Sequence, residues 1–88
     1  MPKLYSARVI IKSFKKAGFY KVSQKGSHVK LKGFWRGKLQ TIIIPNHKEV
    51  AMGTFQSILN QASMTLEEFL KVIFLPFFFK PEAFSQNL

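Results

Sequence analysis

The chain has 88 residues, enough for one small domain with a modest hydrophobic core. It contains no cysteine, so disulfide bridges and thiolate metal sites are excluded. It also contains no aspartate and only four glutamates, the first at position 49. A site that holds two metal ions needs clustered carboxylates, so we expect neither a metal centre nor a cofactor.

The charge is distributed unevenly along the chain, whose net charge is +10. Residues 1–48 contain 12 lysines or arginines and no acidic residue, whereas residues 49–88 contain two lysines and four glutamates. Such an imbalance is typical of proteins that bind a polyanion, with nucleic acid favoured over a membrane surface. The apolar run at residues 72–79 is far shorter than the roughly 20 residues needed to span a bilayer, and the N-terminus has no apolar signal segment. We therefore expect a cytoplasmic protein with no membrane contact.

The first predicted element is an amphipathic helix. Ser6 is a suitable N-cap, the apolar residues between Ala7 and Ala17 follow helical spacing, and Gly18 is a suitable stop. Basic side chains occupy another face of this helix: Arg8, Lys12 and Lys15. Taken alone, such a face would simply be solvated, and only the missing acids suggest a ligand.

Three strands are predicted next, over residues 19–23, 27–32 and 39–44. Lys25-Gly26 predicts a tight link between the first two strands, and residues 33–37 predict a looser link between the second and third. These features indicate an antiparallel meander.

Two helices are predicted to follow. One begins near Gly53-Thr54, and a capping box between Thr65 and Glu68 begins the other. The predicted order is α-β-β-β-α-α, an α+β fold whose three-stranded antiparallel sheet is covered by helices on one face. We assign residues 1–75 to this domain and residues 76–88 to an apolar C-terminal tail that is not a separate domain.

His28 is the strongest catalytic candidate. Strict alternation in the second strand places Val29 and Leu31 on one face, and polar side chains on the other: His28, Lys30 and Lys32. An imidazole exchanges protons at neutral pH, so it could deprotonate the 2′-hydroxyl of RNA for attack on the adjacent phosphorus. Neighbouring lysines would stabilise the developing charge. The alternative is that His28 only contacts a phosphate.

Two further features allow several interpretations. His47, in the segment Pro45–Lys48, could be a second acid–base group, an RNA contact or a structural loop histidine. Phe34, Trp35 and Arg36 could stack on unpaired bases, or the two aromatic rings could fold back onto the core.

Four segments of the chain resemble the HicA family of toxin ribonucleases, which act on messenger RNA and are neutralised by a partner called HicB. They are Lys-Lys-Ala-Gly-Phe, Gln-Lys-Gly-Ser-His-Val-Lys-Leu, Ile-Pro-Asn-His-Lys-Glu-Val and Gly-Thr-Phe-Gln-Ser-Ile-Leu-Asn-Gln-Ala, beginning at residues 15, 24, 44 and 53. The resemblance covers about residues 6–70. It implies a fold like the double-stranded-RNA-binding domain and a catalytic role for His28, with Gly26 and Ser27 as its turn.

The resulting prediction is the toxin of a type II toxin–antitoxin system, a metal-independent endoribonuclease that cleaves messenger RNA with His28 as general base or acid. We expect RNA contacts at Lys25, Gly26, Ser27, Lys30, Lys32, Trp35, Arg36 and His47. The alternative function is a non-catalytic RNA-binding module of the same fold, and a third is a pure interaction protein. Expected partners are messenger RNA and a HicB-like antitoxin. The Phe-rich tail departs from the family pattern and offers a surface for a homodimer.

Overall fold

The computed structural model describes residues 4–74, which form three helices and one three-stranded antiparallel sheet. In chain order the elements are α1 (Ala7–Lys16), β1 (Tyr20–Lys25), β2 (His28–Trp35), β3 (Lys38–Pro45), α2 (Met52–Ala62) and α3 (Leu66–Ile73). The predicted α+β class and element order are confirmed. No helix within residues 4–74 is long and apolar enough to cross a membrane. The predicted tail, residues 76–88, and the dimer contact assigned to it lie outside the described residues.

Two-residue turns connect the strands, which lie in the order β1-β2-β3. Gly26, the first residue of the β1–β2 turn, has a φ of 59°, the pattern of a type II′ turn. Both residues of the β2–β3 turn, Arg36 and Gly37, have positive φ, the pattern of a type I′ turn. The looser link predicted over residues 33–37 was therefore wrong, because β2 continues through Trp35.

The glycine in the middle of β2 marks a close approach of two chain segments. A Cβ atom at Gly33 would lie 2.6 Å from Cγ and 2.8 Å from Cα of Phe19. Gly33 thus lets Phe19 pack against the strand, where its side chain is buried. Gly33, which was predicted to begin the link after the second strand, instead lies within β2, where the packing of Phe19 requires it.

Local signals set the helix boundaries. The Ser6 hydroxyl accepts a hydrogen bond from the Val9 N–H at 3.1 Å, and Gly18 follows α1 with a φ of 102°. At the start of α3 the Thr65 hydroxyl accepts from the Glu68 N–H, and the Glu68 carboxylate accepts from the Thr65 N–H. The predicted N-cap and capping box are both confirmed.

The hydrophobic core lies between the helices and one face of the sheet. Its largest fully buried side chains come from both layers: Ile10, Phe14, Leu31, Ile42, Ile44, Val50, Ile58, Leu59 and Phe69. The ring of Phe69 lies 4.9 Å from Phe55, 5.6 Å from Tyr5 and 5.9 Å from Phe14, measured between ring centroids. Because the helices cover only one face, the strand residues that alternate with the core are left accessible on the other.

Candidate functional site

The sheet face opposite the helices is called the open sheet face below, and the strand register divides it into four rows. The rows, from the β1–β2 turn toward the β2–β3 turn, are Lys25, His28 and Pro45; Ser23, Lys30 and Ile43; Tyr20, Lys32 and Thr41; and Phe34 with Leu39. One end of this face therefore carries a histidine among lysines, and the other carries aromatic and aliphatic side chains.

His28 lies at the basic end, in a shallow depression of about 460 Å³. The depression is lined by Ser23, Lys25, His28, Lys30 and Ile43. The His28 side chain is exposed, and its imidazole makes no hydrogen bond to any residue between 4 and 74. No group within residues 4–74 therefore competes, through a hydrogen bond, with a ligand for the imidazole nitrogens.

The backbone around His28 is held from both sides. His28 pairs with Lys25 on β1 and with Pro45 on β3. The carbonyl of Ser27 accepts a hydrogen bond of 2.6 Å from the Asn46 N–H, which ties the β1–β2 turn to the segment after β3. A Cβ atom at Gly26 would meet nothing within 4 Å, so the outer side of the turn is open. The histidine thus projects from a fixed backbone beside an unobstructed turn.

His47 does not share this depression. Its side chain is exposed and lines a separate concavity of about 450 Å³ together with Ser6, Arg8, Asn46 and Lys48. Its carbonyl accepts a 2.9 Å hydrogen bond from the Ala7 N–H at the start of α1. The backbone of His47 therefore ties the segment after β3 to the start of α1.

A basic groove between α1 and the β1–β2 hairpin was not predicted as a site. This helix-side groove has a volume of about 430 Å³ and is lined by Arg8, Ile11, Lys12, Lys15, Lys21, Gln24, Val29 and Asn46. The sequence supplied one signal for it, the basic stripe of the first helix. That stripe becomes one wall of a concave surface only because β1 adds Lys21 beside it.

Trp35 and Arg36, two predicted RNA contacts, also contact the protein itself. Trp35 is half-buried against the core, and its Nε1 has no hydrogen-bond partner among the described residues. Arg36 donates from Nε to the Ser63 carbonyl at 2.8 Å and from Nη2 to Glu68 Oε1 at 2.6 Å. Their RNA contacts stay predictions. Phe34, the residue before Trp35 in β2, lies on the open sheet face. Its side chain is 72% exposed and is therefore more accessible than that of Trp35.

One carboxyl in the described chain has a clearly altered affinity for protons. The hydrogen bond from the Thr65 N–H holds the pKa of Glu68 below its ordinary value of 4.5. Partial burial opposes this shift, and Arg36 lowers the pKa further.

No group of three His, Asp or Glu side chains within residues 4–74 is arranged to hold a metal ion.

Comparison with known proteins identifies the family. The family model for the HicA toxin of bacterial toxin–antitoxin systems matches residues 7–64, a span that runs from α1 through α2 and includes His28. No curated protein matches the chain. The chain belongs to the HicA toxin family. Membership supports a toxin role, pairing with an antitoxin and, at a coarse level, a nuclease activity.

Proposed function

We propose that this HicA-family chain is a metal-independent endoribonuclease that cleaves messenger RNA, with His28 as its general base or acid. The observation that carries the proposal is the position of His28. Its imidazole is exposed, has no hydrogen-bond partner in the described chain, and shares a depression with Lys25 and Lys30. A proton acceptor next to two cations suits a phosphodiester whose charge increases during attack.

The chemical step uses the nucleophile that RNA itself carries. His28 removes the proton from a 2′-hydroxyl, and the oxygen forms a bond to the adjacent phosphorus. The bond from phosphorus to the 5′ oxygen of the next nucleotide breaks, and that oxygen takes up a proton. The products are a 2′,3′-cyclic phosphate and a 5′-hydroxyl, so neither water nor an oxidant is consumed. DNA lacks the nucleophile and is not a substrate for this reaction.

The lysines on the open sheet face have electrostatic roles in this proposal. Lys25 lies directly across from His28, and Lys30 lies in the next row. Both lysines can therefore approach the phosphoryl oxygens of a phosphate bound at the imidazole. Lys32, one row farther along β2, would bind a neighbouring phosphate. Phosphate contacts of this kind fix the register of the RNA, and base contacts determine its sequence preference.

The antitoxin partner is proposed to be an acidic HicB-like protein that covers His28. The support is charge complementarity, because the chain carries a net charge of +10 and its cations are concentrated before residue 49. The proposed substrate places the activity in the cytoplasm. An antitoxin bound over the depression would exclude RNA from the imidazole.

Purified His28→Ala and His47→Ala proteins test the catalytic assignment. We expect His28→Ala to cleave RNA at least about 100-fold more slowly, since a general acid–base group contributes roughly 10²–10⁴-fold, while its circular dichroism stays unchanged. His47→Ala is the matched control and should retain more activity, because His47 lines a different concavity. Cleavage by His28→Ala at the wild-type rate would overturn the assignment. If the wild type bound RNA but did not cleave it, the protein would be the non-catalytic RNA-binding module instead.

Metal independence is tested with the same assay. Excess chelator should leave the cleavage rate unchanged, because no cluster of carboxylates is expected from a chain with four glutamates. A substrate with a single 2′-deoxy sugar at the cut site should survive. If chelation stopped cleavage and magnesium restored it, the proposed use of the 2′-hydroxyl without metal would be wrong.

A further inference from the structure

The end of the open sheet face farthest from His28 is rich in exposed aromatic and aliphatic side chains. Phe34 is 72% exposed, Tyr20 is 53% exposed and Leu39 is 48% exposed. None of them belongs to the core, whose side chains alternate with them along the strands. A small domain that leaves a phenylalanine this accessible has a surface suited to an apolar or aromatic ligand.

The strand register groups these side chains around one lysine. Tyr20 is directly across from Lys32, and Phe34 lies two residues beyond Lys32 on the same face of β2, opposite Leu39. Tyr20 and Phe34 are therefore diagonal neighbours on adjacent strands. Such neighbours are about 7–8 Å apart in a sheet, within reach of aromatic side chains. Two rings and a cation thus flank one another on a surface that none of the helices within residues 4–74 covers.

We propose that this end of the open sheet face is a base-stacking platform for single-stranded RNA, with Phe34 as its main contact and Tyr20 as its second. The inference rests on the proposed function, since it assigns His28 as the cutting end of the same RNA path. The RNA backbone follows β2 past Lys32 and Lys30 to His28, and a base several positions from the cut stacks on Phe34.

Charge favours a polyanion such as RNA as the occupant. Lys30 and Lys32 lie between the platform and His28, and no acidic residue precedes Glu49 in the chain. Phe34 is six positions after His28 in β2, a span of about 20 Å, which corresponds to a few nucleotides of an extended strand. Proteins that bind single-stranded nucleic acid combine a basic path for the backbone with aromatic rings on which bases stack.

The aromatic rings also favour an unpaired strand over a duplex. Aromatic side chains stack on bases that are splayed out of a helix, and paired bases present no free face to them. The helix-side groove lacks this feature, because its apolar lining comes from Ile11 and Val29, which are aliphatic. We therefore assign only backbone contacts to the groove, and we assign base stacking to the aromatic end of the open sheet face.

Binding is measured in the His28→Ala background, so that the RNA stays intact and the result does not depend on catalysis. The probe is a single-stranded RNA of about eight nucleotides, carrying a fluorescent adenine analogue at successive positions. Adding Phe34→Ala should raise Kd by at least about fivefold, the lower limit for the loss of one stacked base. Adding Phe34→Tyr should restore binding, and Phe34→Leu should not, because leucine keeps the apolar bulk but lacks an aromatic face.

The matched control is Phe74→Ala in the same background. Phe74 is 85% exposed but follows α3, away from the open sheet face, so its removal should leave Kd unchanged. Fluorescence should change at one position several nucleotides from the cut, and Phe34→Ala should abolish that change. Equal binding by Phe34→Leu and wild-type Phe34, or equally tight binding of a duplex of the same sequence, would overturn the platform. An unchanged Kd with an altered oligomeric state would assign the face to a protein partner instead.

Discussion

Gly33 lies in the middle of β2, where the ring of Phe19 packs directly against its backbone. A methyl group there has no space, since its nearest neighbours would be ring and backbone atoms of one buried residue at 2.6–2.8 Å. The conflict cannot be relieved by rotating the end of a flexible side chain. Gly33 was predicted to begin the link after the second strand, whereas its role is fixed by a contact with Phe19 inside β2.

Gly33→Ala should therefore destabilise the protein by about 1–3 kcal/mol, the usual range for overpacking a core. Urea unfolding followed by circular dichroism measures this as a lower midpoint. Gly53→Ala is the matched control, because a Cβ atom there meets nothing within 4 Å and Gly53 lies in α2. Replacing a helical glycine by alanine should raise the stability, by up to about 1 kcal/mol. Equal effects of the two substitutions would contradict the packing argument.

At the scale of elements, Arg36 joins the β2–β3 turn to the start of α3. It adopts a φ of 55°, a left-handed conformation that is unusual for a residue with a side chain. Its guanidinium donates to the carbonyl of Ser63 and to Glu68, the residue that completes the α3 capping box. One arginine thus fastens a strand turn to a helix cap, which positions α3 against the rest of the fold.

The Glu68 cap should make the stability depend on pH. Because folding lowers the pKa of Glu68, the ionised carboxylate stabilises the fold above about pH 4.5, and this contribution is lost as the pH falls below 4.5 toward the lowered value. Glu68→Gln preserves the capping geometry, but the amide cannot titrate. As the pH falls below 4.5, the unfolding free energy of this variant should therefore decrease less than that of the wild type. The difference should be about 0.3–1 kcal/mol, since the ion pair is partly exposed.

Glu67→Gln serves as the control for Glu68→Gln. It removes the same charge from the same helical turn, one residue away, and leaves Thr65 and Arg36 untouched. Its unfolding free energy should follow the wild-type dependence below pH 4.5. An acid response of Glu68→Gln identical to the wild type would show that the cap does not carry this pH dependence.

For the whole molecule, the distribution of charge matters more than its total. Several cations before residue 49 contact the protein itself: Lys16 donates to the Ile73 carbonyl at 3.0 Å, Lys21 donates to the Gln24 side-chain oxygen at 2.9 Å, and Arg36 pairs with Glu68. Two basic surfaces result: Lys25, Lys30 and Lys32 lie on the open sheet face, and Arg8, Lys12, Lys15 and Lys21 line the helix-side groove. Both border the β1–β2 hairpin, so one RNA strand can contact both.

RNA binding should weaken steeply with salt, with a log–log slope of roughly −3 to −6, because each phosphate neutralised on a single strand contributes about −0.7. Lys30→Ala with Lys32→Ala and Arg8→Ala with Lys15→Ala should each reduce the slope by about 1.4 if both side chains contact phosphates. Only the first pair should also slow cleavage at saturating RNA, since Lys30 lies beside His28. Salt-independent binding would indicate that the basic surfaces have another ligand.

The sequence by itself determined the element order, the Ser6 cap, the capping box and the alternation that puts His28 and Lys30 on one face. These features depend on residues close together in the chain, where helical and strand periodicity and capping chemistry act. The same local signals identified the β1–β2 turn, because glycine readily adopts the positive φ of a type II′ turn.

Only the tertiary structure decided the extension of β2 through Trp35, the engagement of Arg36 with Glu68 and the separation of the two histidines into different depressions. It also created the helix-side groove and left Phe34 exposed at the far end of the open sheet face. Most of these depend on residues distant in sequence, such as Phe19 against Gly33 or Arg36 against Glu68. Such contacts carry no local signal, because the partner is set by how the helices and sheet pack together.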